Sequence, residues 1–320
     1  MNPNQMANCK DFVIPGILAI EDKHELTRAT ITTSLCTAEI YLQGAHLTQW
    51  QPQKHEPVLF LSESSPFVRG KAIRGGVPII FPWFGPRTAT VCDNRSDGPA
   101  HGFARTEDWQ VVSAAMEGEQ LVLILCLEAN EVSRALGFDQ FRLQYSLTFG
   151  TDLIMQLTVE NHSPSKLCFA EALHTYFLVG DCEQIGISGL ADNEYYDKTD
   201  GFKRKRQGVD ELILRLKGEI DRPYINSSDT LVLRDPVTNR RITVSKSHSN
   251  TTVIWNPGAE LTAKMTDMSP EGWKQMVCIE AANALENAIT LGPGEKHTMT
   301  AHIEVEHSAD SVEQASSKKV

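Results

Sequence analysis

The segment FRLQYSLTFG alternates without a break: Phe141, Leu143, Tyr145, Leu147 and Phe149 fall on one side of an extended chain, and Arg142, Gln144, Ser146 and Thr148 on the other. Successive side chains of a strand point to opposite faces, so this pattern buries one face and wets the other when the chain is a β-strand. The same period recurs in DLIMQLTVEN (Leu153, Met155, Leu157, Val159), in LVLILCLEA and in HTMTAHIEVEH (Met299, Ala301, Ile303, Val305). Turn-rich stretches such as TFGTD, ENHSPS and LGPGEK punctuate these runs. Short strands at close spacing imply antiparallel sheets stacked on one another, and long helical patterns are scarce.

A chain of 320 residues can bury a large core, as two ordinary domains or one large all-β domain. No Pro/Gly/Ser-rich linker or abrupt change of composition divides it, so one domain over residues 1–320 is expected, with polar flexible tails over about 1–12 and 308–320. The formal net charge of −11 argues against a nucleic-acid binder, which needs clustered Lys and Arg over an extended face. An anionic ligand must then be small and met locally. The segment from Pro66 to Arg105 offers such a place, with Arg69, Lys71, Arg74, Arg87, Arg95 and Arg105 against only Asp93 and Asp97. The basic run Lys203 to Arg206 reads as the solvated face of a polar loop.

Seven cysteines (Cys9, Cys36, Cys92, Cys126, Cys168, Cys182, Cys278) are scattered and form no CxxC, so neither a disulfide framework nor a zinc site is indicated, and reduced thiols are expected. The N-terminal MNPNQMANCKDF lacks the basic start and apolar core of a signal peptide, and no apolar run reaches membrane-spanning length. A cytoplasmic protein without membrane or nucleic-acid partners, and a monomer, is the resulting expectation.

Two ionisable residues stand in matching strand-like settings, His174 in EALHTYFLVG and Glu280 in QMVCIEAANA. Alternation puts Ala172 on the side of His174, and Cys278 and Ala282 on the side of Glu280. Small neighbours leave room for a ligand, and a histidine and a carboxylate facing one space make an acid/base pair. The bland alternatives are a core histidine satisfied by backbone groups and a carboxylate paired with a basic residue. An unpaired carboxylate among Val277, Ile279 and Ala281 is costly, so Glu280 needs a partner or a functional cavity. In KAIRGGVPIIFPWFGPR an arginine, Arg74, precedes two glycines; it is either an anion contact approached closely by backbone or a surface arginine at a turn. In PAHGFARTEDWQV, His101 and Arg105 flank Gly102 and Phe103, and His101 either bonds a sugar hydroxyl or caps its turn. LGPGEKH lacks the ending and the helix of a phosphate loop, no HExxH, GxSxG or dinucleotide fingerprint is present, and ten histidines show no metal-ligand spacing.

Taken in order, IRGGVPIIFPWFGP, HGFAR, LHTYFLVGD, WNP and CIEAAN resemble the markers of the aldose 1-epimerase superfamily, in particular its hexose-6-phosphate (glucose-6-phosphate 1-epimerase) branch, from about Gly44 to Val305. The resemblance implies an all-β, galactose-mutarotase-like antiparallel β-supersandwich with few short helices and an active site in a cleft on one concave face. It implies His174 as general acid, Glu280 as general base, Arg74 and Arg105 as substrate contacts and Asp197 of NEYYDK as a sugar-hydroxyl ligand. His101 stands where the neutral-sugar branch places a substrate-positioning histidine. Ala100 departs from relatives that carry glutamine before that histidine, and an alanine cannot supply the side-chain contact.

The chemistry so implied interconverts the α and β anomers of hexose 6-phosphates. An ionised Glu280 takes the anomeric hydroxyl proton, a protonated His174 supplies one to the ring oxygen, and the opened aldehyde recloses on its other face. No cofactor or metal is required. Arginines suit a 6-phosphate because their forks bind its oxygens in pairs, with Arg74 the first choice, Arg105 the second, and Arg69 and Lys71 adding to the local field. The alternatives are a neutral-aldose 1-epimerase and a non-catalytic sugar-phosphate-binding or sensor domain on the same fold.

Overall fold

The computed structural model describes residues 10–88 and 95–308. Cys9, Cys92, Asp93 and most of both expected tails lie outside the described residues. Lys10–Phe12, expected in the N-terminal tail, forms a 3-10 turn, with Phe12 packed against the core.

The expected strands are present. Phe141–Phe149 buries every second residue, the five named above, and Leu153–Asn161 does the same with Leu153, Met155, Leu157 and Val159. These two pair antiparallel along their whole length, Phe141 opposite Asn161 and Phe149 opposite Leu153. They belong to a nine-stranded sheet that also holds Gln120–Glu128 and the long strand Lys296–His307. A second, eight-stranded sheet runs in the order Lys203–Arg206, Glu194–Asp197, Ile220–Ile225, Thr251–Asn256, Met276–Asn283, Glu171–Leu173, Ile79–Ile80, with Tyr176–Leu178 also on Met276–Asn283. A four-stranded sheet precedes both, built from Leu18–Lys23, Leu26–Thr32, Cys36–Tyr41 and His46–Pro52. All strand ladders are antiparallel, and the α-helices among the described residues are short, Glu131–Ala135 and Gly258–Thr262. None is long and apolar enough to cross a membrane.

One hydrophobic cluster joins the three sheets, taking Ile31 and Trp50 from the first, Leu123, Tyr145 and Ile303 from the nine-stranded sheet, and Leu173, Ile254 and Ile279 from the eight-stranded sheet. One face of the eight-stranded sheet is thus spent on the core. Its other face mixes ionisable, aromatic and small apolar residues, His174, Glu280, Asp221, Tyr176, Trp255, Ala172 and Ala282 among them.

Two sequence expectations change. The run Lys203–Arg206 is an edge strand and not a loop. Its four cations are ion-paired, to Asp200, Glu194, Glu286, Asp197 and Asp192, which gives a charged edge that resists pairing with another chain. It read as a loop because an edge strand with both faces wet loses its alternation. Cys36, Cys126, Cys182 and Cys278 are free and buried as expected, but Cys168 is disulfide-bonded.

Candidate active site

Glu171–Leu173 and Tyr176–Leu178 both pair with Met276–Asn283, with Leu173 opposite Ala281 and Tyr176 opposite Cys278. One unbroken register fits both pairs, so residue 174 falls opposite residue 280, and opposed residues share a face. The His174 Nε2 lies 3.3 Å from Glu280 Oε1. Backbone bonds hold the crossing: the His174 N–H donates to the Pro78 carbonyl at 3.0 Å and the Ile279 N–H to the Thr175 carbonyl at 3.1 Å. Two residues 106 positions apart are brought together by strand register alone.

To one side of the pair, Ala172 and Ala282 oppose one another and form a small apolar patch with Ile80 and Val253. To the other side, Tyr176, Cys278, Trp255 and Asp221 stand in a row across four strands. Small neighbours therefore border the pair on one side, as the alternation implied, while Tyr176 fills the other. Its ring stacks on His174 at 4.9 Å, and Trp255 and His101 meet the imidazole edge-on at 6.0 and 5.6 Å.

His101 sits in a turn with φ 67°, followed by Gly102 at φ 72°, where a Cβ would lie 1.9 Å from the Phe81 carbonyl oxygen. Only glycine fits there. The Gly85 N–H donates to His101 Nδ1 at 3.3 Å, so the ring proton rides on Nε2. Burial, with Arg105, Lys198 and Arg74 nearby, pushes this imidazole down to about 3, so it is neutral at physiological pH. The ring thus bonds the loop at Gly85 and not its own turn, and it stands near-perpendicular to the imidazole of His174.

Arg74 leaves the sheet on the RGG turn. The two glycines allow close packing of protein backbone: a Cβ at Gly75 would lie 2.4 Å from the Phe60 oxygen, and one at Gly76 2.2 Å from the Leu47 oxygen. The guanidinium donates from Nη1 to the Tyr176 hydroxyl at 2.9 Å, and from Nε and Nη2 to Asp267 Oδ2 at 3.1 and 2.9 Å. Arg105 donates from Nη2 to the Ala100 carbonyl at 2.8 Å and makes no ion pair among the described residues. Ala100, whose side chain offers no amide, thus contributes through its backbone. The rest of the basic segment does not form one patch. Arg69 pairs with Asp108, Arg95 with Asp97, Arg87 is buried over the Trp83 ring, and Lys71 is exposed.

Protonation differs from expectation. Burial raises the Glu280 carboxyl well above its ordinary value, and Asp221 adds to the shift. Burial lowers His174 well below its own, aided by His101, Arg105 and Arg74. The favoured arrangement is a neutral carboxylic acid beside a neutral imidazole, and not the expected carboxylate beside an imidazolium. Both arrangements hold the same number of protons; they differ in where one proton sits. Glu280 Oε2 and His174 Nδ1 are buried without a hydrogen-bond partner.

Asp197 is not brought into this cluster. It shares its strand face with Tyr195, a core residue, and its carboxylate binds Lys205 at 2.8 Å and the Thr199 hydroxyl at 2.6 Å. The acid on the face of His174 and Glu280 is Asp221, opposite Trp255 and paired with Lys198 at 2.6 Å. Sequence reasoning missed Asp221, Lys198 and Asp267. Among the described residues, no three His, Cys, Asp or Glu side chains converge to hold a metal ion.

Comparison with known proteins gives a match to the family described as aldose 1-epimerase over residues 27–304. A protein of Escherichia coli named "Putative glucose-6-phosphate 1-epimerase" is 35% identical over 273 residues, covering 85% of this chain and 88% of that protein. One of the same name from Salmonella typhimurium is 36% identical over 248 residues, covering 77% and 80%. A crystal structure from Salmonella typhimurium, described as "a putative mutarotase", superposes with a TM-score of 0.85 at 30% identity, covering 94% of this chain and 99% of that one.

Proposed function

The chain belongs to the aldose 1-epimerase family, and from that premise we propose that it is a glucose-6-phosphate 1-epimerase, an isomerase that interconverts the α and β anomers of hexose 6-phosphates. Its fold is the galactose-mutarotase-like antiparallel β-sandwich. The observation that carries the reading is the 3.3 Å contact between His174 and Glu280, with the guanidinium of Arg74 one side chain away through Tyr176.

Ring opening uses the ion-pair form. The Glu280 carboxylate takes the proton of the anomeric hydroxyl, the bond from C1 to the ring oxygen breaks with its electrons passing to that oxygen, and His174 delivers a proton there. The pair is left as a carboxylic acid and a neutral imidazole, the form that burial favours. After rotation about C1–C2, ring closure uses that form: Glu280 returns its proton to the carbonyl oxygen while His174 removes the hydroxyl proton from the former ring oxygen. Opening and closing each need one of the two arrangements, so a pair whose arrangements lie close in energy serves both directions. Two positioned proton-transfer groups contribute ~10²–10⁴-fold each, ample for a reaction that already proceeds unaided.

Arg105, with most of its donors uncommitted, and Arg74 bind the 6-phosphate through charge-assisted hydrogen bonds. Asp221 with Lys198 takes the sugar-hydroxyl role expected of Asp197, because it lies on the cleft face and Asp197 does not. His101 offers its Nε2–H to a sugar oxygen.

The test is NMR exchange spectroscopy on the anomers of glucose 6-phosphate and of glucose. The protein is expected to speed anomer exchange, with a higher kcat/KM for the phosphorylated sugar. Binding without faster exchange would identify a sensor domain, and equal efficiency on both sugars a neutral-aldose epimerase.

A further inference from the structure

We propose that Asp267 is a positioning residue that presets Arg74 for the phosphate, an inference that rests on the reading of Arg74 as a phosphate contact. A guanidinium carries five N–H groups in a rigid plane. In Arg74, Nε and Nη2 both donate to Asp267 Oδ2, at 3.1 and 2.9 Å, and one Nη1 proton goes to the Tyr176 hydroxyl at 2.9 Å. By count, each terminal nitrogen then keeps one N–H for a ligand. An arginine otherwise sweeps many rotamers, and fixing it before binding removes that ordering cost from the binding step.

Asp267 is itself held. It lies between the helix Gly258–Thr262 and the 3-10 turn Gly272–Gln275, and its neighbours Met265 and Met268 pack with Tyr176, Met276 and Cys278. The loop that carries the carboxylate is therefore anchored on the same ring that stacks on His174. The two arginines divide the work. Arg74 is oriented on two sides and its charge is offset by a carboxylate in direct contact, whereas Arg105 bonds the Ala100 carbonyl and touches no carboxylate among the described residues.

The opposite role for the same contact would be competition, in which Asp267 occupies the fork as an internal anion that phosphate must displace. The two roles predict opposite signs. Presetting makes loss of Asp267 weaken phosphate recognition; competition makes it strengthen.

The experiment measures KM and kcat for glucose 6-phosphate and for glucose in the wild type and in Asp267→Ala, Asp267→Asn and Arg74→Ala. Asp267→Ala is expected to raise KM for glucose 6-phosphate about tenfold and to change kcat far less, with a shift of less than about twofold in KM for glucose. Asp267→Asn keeps an oxygen acceptor toward Arg74 and should fall between the wild type and the alanine variant. A lower KM for the phosphorylated sugar in either variant, an unchanged one in Asp267→Ala, or equal rises for both sugars would overturn the proposal. Arg74→Ala separates the two levels. If it leaves KM for glucose 6-phosphate unchanged, the reading of Arg74 itself fails; if it raises that KM while Asp267→Ala does not, only the role of Asp267 fails.

Discussion

The strands Glu171–Leu173 and Met276–Asn283 take part in two histidine–glutamate pairs, one on each face; burial raises both carboxyls, but the two imidazoles shift in opposite directions. On the core face Glu171 opposes Asn283, and its Oε1 accepts from the Asn283 amide at 2.9 Å and lies 3.0 Å from His297 of the nine-stranded sheet. The bond to Glu171 raises the His297 imidazole above its ordinary value. On the cleft face Glu280 has one contact, His174, at 3.3 Å, and the imidazole is driven down by burial and by nearby His101 and arginines. Both glutamates are fully buried and each keeps one oxygen without a partner. What differs is the company. The interior pair has a second donor, the Asn283 amide, and an imidazole raised by its bond to Glu171, which makes it a brace between sheets. In the other pair burial, with Asp221 acting on Glu280 and Arg74 and Arg105 acting on His174, favours the neutral forms and leaves the pair able to accept partners from a ligand.

The comparison is broken most sharply by exchanging roles through substitution. Glu280→Gln and His174→Asn should each cost ~10²-fold or more in anomer exchange, with thermal stability little changed or improved. Glu171→Gln and His297→Asn should do the reverse, losing about 1–3 kcal/mol in urea denaturation while the folded fraction keeps its turnover. A Glu280→Gln variant with nearly native exchange, or a Glu171→Gln variant that is stable but inactive, would remove the distinction.

Next in size is the contrast between the arginines. Arg105→Ala should raise KM for glucose 6-phosphate by about 10–100-fold and exceed the effect of Arg74→Ala, because Arg74 is in direct contact with the Asp267 carboxylate and Arg105 touches no carboxylate among the described residues. A larger effect at Arg74 would reverse that order.

The pH profile follows from the direction of the cleft shifts. Turnover needs the pair to hold one transferable proton, so activity falls when His174 and Glu280 are both protonated and again when both have lost it. A lowered His174 places the acid limb below pH 6.5, and a raised Glu280 keeps the basic limb well above pH 4.5. Rates on glucose, which has no phosphate to titrate, should not fall on the acid side until the pH is below 6.5; a rate that halves as the pH is lowered to 6.5 would mean that His174 is unshifted. The smallest effect belongs to the brace. His297 has a folded value above 6.5, so the folded state holds its proton more tightly, and the stability it adds is full below pH 6.5 and fades as pH rises through the folded value. Denaturation across pH 6 to 9 should show this decline in the wild type, and His297→Asn should lack it.

Much of this was legible because one buried face imposes period two on a strand. Phe141–Phe149 could be read to the residue, and Glu280 and His174 stood out as ionisable groups in apolar runs. What could not be read was parity and pairing. Asp197 and Asp221 are similar acids near strand residues, yet Asp197 falls on the side of Tyr195 and Asp221 on the side of Trp255, and nothing local says which strands lie next to each other. Asp267 reaches Arg74 across 193 positions of sequence. The proton arrangement of the pair was also hidden, since it depends on burial by residues from several strands.

The central claim is that His174 and Glu280 act as one proton-carrying unit, and the double variant Glu280→Gln/His174→Asn tests it most directly. Groups that work as a unit lose their contribution once, so anomer exchange of glucose 6-phosphate in the double variant should fall to about the level of the worse single variant. Losses that multiply across the two substitutions would show that the residues act independently and would contradict the account.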